Sequence, residues 1–159
     1  MMQERPRKIW VTGHSLGGAL ATLATRRLTM EADYLNEVDP IATFTFGQPR
    51  VGDTQMCRQI GSPFYRFAYV ADPVTWVPFS VPAFVEYAHA GDLRMIDKSS
   101  TIRKSATDWF LSYGKSLIAV AAQMTTTKLV GRVSQHIRSH YMDNYIQRIT
   151  TAIKKEKSS

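Results

Sequence analysis

The sequence predicts an α/β fold with a mostly parallel central sheet flanked by helices, and three observations carry that prediction. Apolar, β-favouring runs recur at residues 9–12, 41–46 and 64–70. Helical stretches stand between them, so successive βα units give parallel neighbours joined by right-handed crossovers. A glycine-flanked serine, Gly13-His14-Ser15-Leu16-Gly17, sits where the first run passes into the first helix. The 159 residues are 44% hydrophobic and 21% charged, enough for a single domain over 1–159 with its own core.

Taken in order, Ile9-Trp10-Val11-Thr12 reads as a short buried strand. The helix after the serine carries Ala19, Leu20, Leu23, Ala24 and Leu28 at helical spacing and should run to about Met30. Asp39-Pro40 closes a polar loop, and residues 41–46 form a second strand that stops at Gly47. Asp53 or Thr54 caps a helix through Ile60. Residues 64–70 are an aromatic-rich third strand ending at Ala71-Asp72-Pro73-Val74. Beyond it, residues 76–82 are extended and proline-broken, and Val85-Glu86-Tyr87 is strand-like. Residues 93–97 are a last strand at the sheet edge, and 98–104 are a loop. A helix starts at Asp108, and a closing helix runs from Tyr141 to about Lys155, beside His140.

Gly13-x-Ser15-x-Gly17 between a strand and a helix is the context of a nucleophile elbow. A serine at the tip of so tight a turn sits in strained backbone. Gly13 and Gly17, two residues before and after it, are expected to be small so that strand and helix can converge. The turn raises the Ser15 hydroxyl above the sheet. It also aims the first helical N–H groups, that of Leu16 foremost, at the place where an oxyanion would form. Neither G-x-G-x-x-G nor G-x-x-x-x-G-K-[ST] can be laid on these residues, which argues against a nucleotide-binding loop.

Twenty Lys and Arg against 13 Asp and Glu give a net charge of +7, but the positives are scattered. Without a basic helix interleaved with aromatics, nucleic acid is not the expected partner; the charge serves solubility and a weak attraction to anionic interfaces. Cys57, alone, excludes an internal disulfide and reads as a half-buried filler. Residues 1–8 are polar and precede no signal-like apolar run, so a cytoplasmic location is expected if Met1 is the true start. The apolar stretch 109–124 is broken by Ser112, Lys115 and Ser116 and is too short to span a bilayer.

A serine hydroxyl needs a base to become a nucleophile and an acid to orient that base. With a strand–elbow–helix nucleophile, the order along the chain is serine, acid, histidine. Asp72, at a strand end before a proline, is the best acid. His14, His89, His136 and His140 are the four histidines. His14 adjoins the nucleophile and reads as structural, pointing elsewhere by strand geometry; His89, His136 and His140 all remain candidates for the base.

Three ordered blocks carry a resemblance. Gly13-His14-Ser15-Leu16-Gly17-Gly18-Ala19-Leu20-Ala21, Thr45-Phe46-Gly47-Gln48-Pro49-Arg50-Val51-Gly52 and Asp72-Pro73-Val74-Thr75-Trp76-Val77-Pro78 resemble the class 3, fungal-lipase-like lipases of the α/β-hydrolase fold. The resemblance spans most of residues 8–149. It implies a serine hydrolase cleaving carboxylic esters of lipids, acylglycerols foremost, through Ser15, Asp72 and His140. Ser139-His140-Tyr141-Met142-Asp143-Asn144-Tyr145-Ile146 fits the family's C-terminal pattern, a histidine followed after a few variable residues by an aromatic, better than His136 does, and Tyr87-Ala88-His89-Ala90-Gly91 resembles a segment whose histidine is not catalytic. Neither metal nor organic cofactor is implied. The implied partners are a lipid ester substrate and, transiently, a lipid interface.

Only eight residues precede Ile9, whereas the resemblance implies a longer segment with further strands, a second oxyanion donor and a lid. The chain is therefore expected to be an N-terminally truncated, partial domain with an exposed sheet edge beside the nucleophile strand. The alternative expectation is a catalytically impaired lipase-like fragment acting as a lipid- or partner-binding module. The coding sequence upstream of Met1 would discriminate between them.

Overall fold

The computed structural model describes residues 8–35, 41–78, 86–104 and 138–158. β1 (Ile9–His14), β2 (Ile41–Phe46), β3 (Phe64–Tyr69), β4 (Asp92–Ile96) and β5 (Ile102–Arg103) form one sheet in the order β1-β2-β3-β4-β5. The first four strands pair in parallel and β5 returns antiparallel to β4. The α/β reading therefore stands. Two expectations change at one edge: residues 98–104 are not only a loop, because Ile102 and Arg103 pair with Ile96 and Met95, and the strand expected at that edge is covered by this short return. At the other edge, among the described residues, stands β1, with Trp10 68% exposed.

Helix α1 (Leu16–Leu35) is longer than expected and lies against β1 and β2. Its buried side is not the leucine spacing. Ala21, Thr22 and Thr25 are buried, while Leu20 and Leu23 are exposed. The cause is the elbow, which starts the helix so close to the sheet that only small side chains fit beneath it. A Cβ on Gly18 would already lie 3.1 Å from Cβ of Gln48. Threonine hydroxyls can be buried there because each has a partner. Thr22 and Thr25 donate to the carbonyls of Gly18 and Ala21, and Thr25 meets Thr43 of β2 at 2.6 Å.

β2 alternates buried and half-buried residues along its length, as a strand sandwiched between two unlike layers should. Helix α2 (Thr54–Arg58) is shorter than expected, and its N-cap is Asp53, whose carboxylate accepts from the Met56 N–H at 2.7 Å. Residues 73–76 turn into a 3₁₀ helix capped by Asp72, which takes Trp76 out of the expected extended run; Val77 is extended, and 79–82 lie outside the described residues. Near the strand-like reading at 85–87, the described backbone makes one bridge, Ala88 with Gly52. The helix expected from Asp108 and His136 both lie outside the described residues.

The closing helix α3 (Met142–Lys157) covers the sheet face opposite α1. Its Tyr145 is fully buried with Tyr69 and Ile96, and Met142 and Ile149 pack on the same cluster. That docking brings His140, two residues before α3, over the carboxyl ends of β1, β2 and β3. No described helix is long and apolar enough to cross a membrane.

Candidate active site

Ser15 has a φ of 56°, the left-handed region that a non-glycine residue occupies only under local compulsion. Two contacts impose it. The Ser15 N–H is tied to the Phe46 carbonyl of β2 at 3.0 Å, and the Ser15 carbonyl accepts from the Gly18 N–H at 2.9 Å. Strand and helix are thereby pinned to the same residue. A Cβ on Gly13 would fall 2.1 Å from the Gly17 carbonyl oxygen, so this glycine is a steric requirement. The expectation for Gly17 does not hold in that form: among the described residues nothing lies within 4 Å of a Cβ placed there. Closeness of the two segments is met by the bare Cα of Gly13 against the Gly17 backbone. Leu16 opens α1, where backbone N–H groups lack intrahelical partners.

The Ser15 hydroxyl lies 2.6 Å from Nε2 of His140. The other ring nitrogen, Nδ1, faces both oxygens of Asp72, at 2.9 Å to Oδ2 and 3.1 Å to Oδ1. A proton can therefore sit on Nδ1 toward the carboxylate while Nε2 accepts from the serine. Asp72 is fully buried, a position a carboxylate can hold only if its oxygens are satisfied. They are. Oδ1 accepts from the Val74 N–H at 2.9 Å, and Oδ2 accepts from the hydroxyl of Tyr145 at 2.7 Å. The Tyr145 oxygen in turn accepts from the Tyr69 N–H at 3.0 Å. Burial, followed by the nearby Asp72 charge, pushes the Tyr145 phenol well above its ordinary value of 10.0, so it stays a donor.

Of the candidates for the base among the described residues, His89 and His140, it is His140 that is joined to both Ser15 and Asp72. His89 lies elsewhere, under the influence of Arg66 and Arg50. Burial first, and those two cations next, push it well below the usual histidine range. Arg66, 5% exposed on β3, is itself drawn down to about 10 by burial and stays cationic at neutral pH. His14 does not point elsewhere. Its Nε2 lies 2.6 Å from the His140 carbonyl, and its ring packs on the His140 ring with centroids 4.7 Å apart. The strand-parity reading missed this because α3 carries the loop of His140 back onto β1.

Two further residues shape the site and were not singled out from the sequence. Gly47, at φ +58°, leaves the space that acid and base occupy: a Cβ there would lie 2.8 Å from Asp72 Oδ2 and 3.1 Å from His140 Nδ1. A glycine closing a strand was visible in the sequence, but not what would lean on it. Tyr145, five residues after His140, was visible as an aromatic in the stretch that follows the histidine, but not the bond it makes to Asp72. Cys57 is half-buried and free, and burial raises its thiol above the ordinary value.

Comparison with known proteins adds a family. The model for "Lipase (class 3)" matches residues 1–81. Over 89 residues the chain is 37% identical to phospholipase A1 EG1, chloroplastic/mitochondrial, of Oryza sativa subsp. indica, an overlap of 54% of this chain and 19% of that protein. Over 88 residues it is 36% identical to triacylglycerol lipase OBL1 of Arabidopsis thaliana, covering 51% of this chain and 17% of that one. Among solved structures, the Rhizomucor miehei lipase in its propeptide complex matches 60% of this chain and 30% of its own, at 36% identity and a TM-score of 0.50. The chain thus spans less than a fifth of the length of either curated relative.

Proposed function

The chain belongs to the class 3 lipase family, and on that premise we propose that it hydrolyses carboxylic ester bonds of lipids through Ser15, His140 and Asp72. The observation that carries this reading is the unbroken line from the Ser15 hydroxyl through both nitrogens of His140 to a buried carboxylate. In the first half-reaction the Ser15 Oγ attacks the ester carbonyl as its proton passes to His140 Nε2. Asp72 steadies the imidazolium, and His140 returns the proton to the departing alcohol, leaving an acyl-serine. Water, deprotonated by the same Nε2, then releases the fatty acid. The Leu16 N–H, at the positive end of α1, is the first donor to the oxyanion. Relatives named a phospholipase A1 and a triacylglycerol lipase both support an acyl ester of glycerol as substrate class.

A second reading has one observation in its favour. β1 stands at the sheet edge among the described residues, and apolar side chains are exposed on it and on α1: Trp10 and Leu16 (each 68%) and Leu20 (58%). Such an apolar margin suits a lipid- or partner-binding module of impaired activity. Turnover of short- and long-chain p-nitrophenyl esters by the chain and by Ser15→Ala separates the two. The first reading expects activity that Ser15→Ala abolishes, and equal rates for both proteins would sink the triad. An inactive chain that still binds phospholipid vesicles would favour the second.

A further inference from the structure

We propose that Tyr145 is a positioning residue for the acid–base pair: its hydroxyl fixes the orientation of Asp72 and limits how tightly Asp72 and His140 together hold a proton. This rests on the reading of Asp72 and His140 as acid and base. Its geometry is independent of any substrate. The Tyr145 oxygen is clamped from two sides, donating to Asp72 Oδ2 at 2.7 Å and accepting from the Tyr69 N–H at 3.0 Å. Because the backbone N–H of β3 occupies the oxygen's acceptor side, the one phenolic proton is left pointing at the carboxylate. Tyr145 is 0% exposed, so water cannot substitute for either bond. Oδ2 is also the oxygen nearer His140 Nδ1, at 2.9 Å. The two donors therefore compete for one lone-pair-rich atom.

That competition has a direction. A donor on Oδ2 spreads the negative charge of the free carboxylate and favours the state in which the pair carries no extra proton. Without it, the carboxylate charge is left to the imidazole alone and the pair binds its proton more firmly, whichever residue is credited with it. Among the described residues, four titratable or charged groups stand out around the pair. Tyr145 comes from α3, Ser15 from the elbow and His14 from β1, and Arg66 of β3 reaches it through Tyr145. Among these, Tyr145 alone donates a side-chain proton to Asp72 besides His140.

The test is an NMR titration of the His140 ring in the whole chain, assigned by its loss in His140→Ala. It needs no turnover. In Tyr145→Phe the titration midpoint is expected to rise by roughly half a unit to one unit. Replacement of Tyr145 by 3-fluorotyrosine preserves ring and hydroxyl but gives a stronger donor, and is expected to lower the midpoint. Ile149→Ala thins the packing of the same helix without touching the hydroxyl; it should lower the melting temperature and leave the midpoint where it is. In the active enzyme the acid limb of kcat/KM should follow the same shifts. A midpoint unmoved by both Tyr145 replacements overturns the proposal, and so does an equal rise in Ile149→Ala. Full activity in Ser15→Ala would instead remove the triad reading and leave the titration result standing.

Discussion

His140 stands between a carboxylate and a hydroxyl, whereas His89 stands among guanidinium groups. Asp72 approaches one nitrogen of His140 to 2.9 Å and Ser15 approaches the other to 2.6 Å. His89 has both ring nitrogens shut off from solvent, with Arg66 and Arg50 pressing its charge away. Neither environment is polar or apolar in any simple sense. What differs, beyond the burial that weighs most on His89, is the sign of the neighbours. An anion beside an imidazole lets it take a proton during a reaction and give it back, while two cations beside a buried imidazole keep it neutral throughout. The comparison teaches that a histidine's suitability as a base lies in which charges the fold brings to it from far along the chain. Asp72 is 68 residues before His140.

The sharpest way to break this contrast is to truncate each ring. His140→Ala is expected to lower kcat/KM for a p-nitrophenyl ester by at least about 10⁴-fold, since a triad without its base retains only binding and oxyanion stabilisation. His89→Ala should leave kcat/KM within about ten-fold of the parent and lower the unfolding midpoint in urea, because a buried ring has been replaced by a void. If the two variants lose activity equally, the assignment of distinct roles fails.

A smaller effect is expected from Gly47→Ala. Its new methyl would meet Asp72 Oδ2 at 2.8 Å and His140 Nδ1 at 3.1 Å, in a backbone at φ +58° that alanine resists. Displacing acid and base by a fraction of an ångström should reduce kcat by about 100-fold. Gly17→Ala, whose methyl meets nothing within 4 Å among the described residues, should change kcat by no more than a few-fold. Both glycines flank segments of the candidate site, yet one abuts His140 and the other does not. Steady-state rates of the pair, with circular dichroism to verify folding, decide it; comparable losses at both positions would contradict the steric account.

Local pattern carried much of the fold and part of the site. Ser15 and Asp72 were legible because each sits in a short stretch whose chemistry is self-contained: a glycine-flanked turn, and an acid before a proline at a strand end. The choice among histidines was not legible in that way. His89 and His140 look alike as residues, and separating them took the resemblance to a family. The part Tyr145 plays was out of reach, because it lies in a bond to a residue 73 positions earlier. The sheet-facing side of α1 was not legible for a related reason. Leucine spacing marks an apolar stripe, but the elbow brings helix and sheet too close for leucine, and threonines that bond back to their own helix take the contact. Two-residue β5 has no pattern to read; it exists because β4 offers it an edge.

The smallest effect tests the other half of the comparison, through stability rather than turnover. An unfolded imidazole takes up its proton near 6.5, while burial and then Arg66 and Arg50 hold folded His89 neutral well below that value. As the pH falls through 6.5 the unfolded chain therefore binds a proton that the folded chain refuses. The contribution of His89 to stability is complete above about pH 6.5 and drains away below it, at up to about 1.4 kcal/mol per pH unit, until the folded value is reached. Urea unfolding of the parent and of His89→Gln at pH 8 and pH 5.5 measures it. The parent is expected to lose up to about 1.4 kcal/mol more than the variant across that interval, since only one unit of it lies below 6.5. Glutamine carries no titrating proton but keeps a polar group of similar reach. Equal losses in the two proteins would mean that His89 takes a proton in the folded state as readily as in the unfolded one, and neither its burial nor the guanidinium groups could then be what sets it apart from His140.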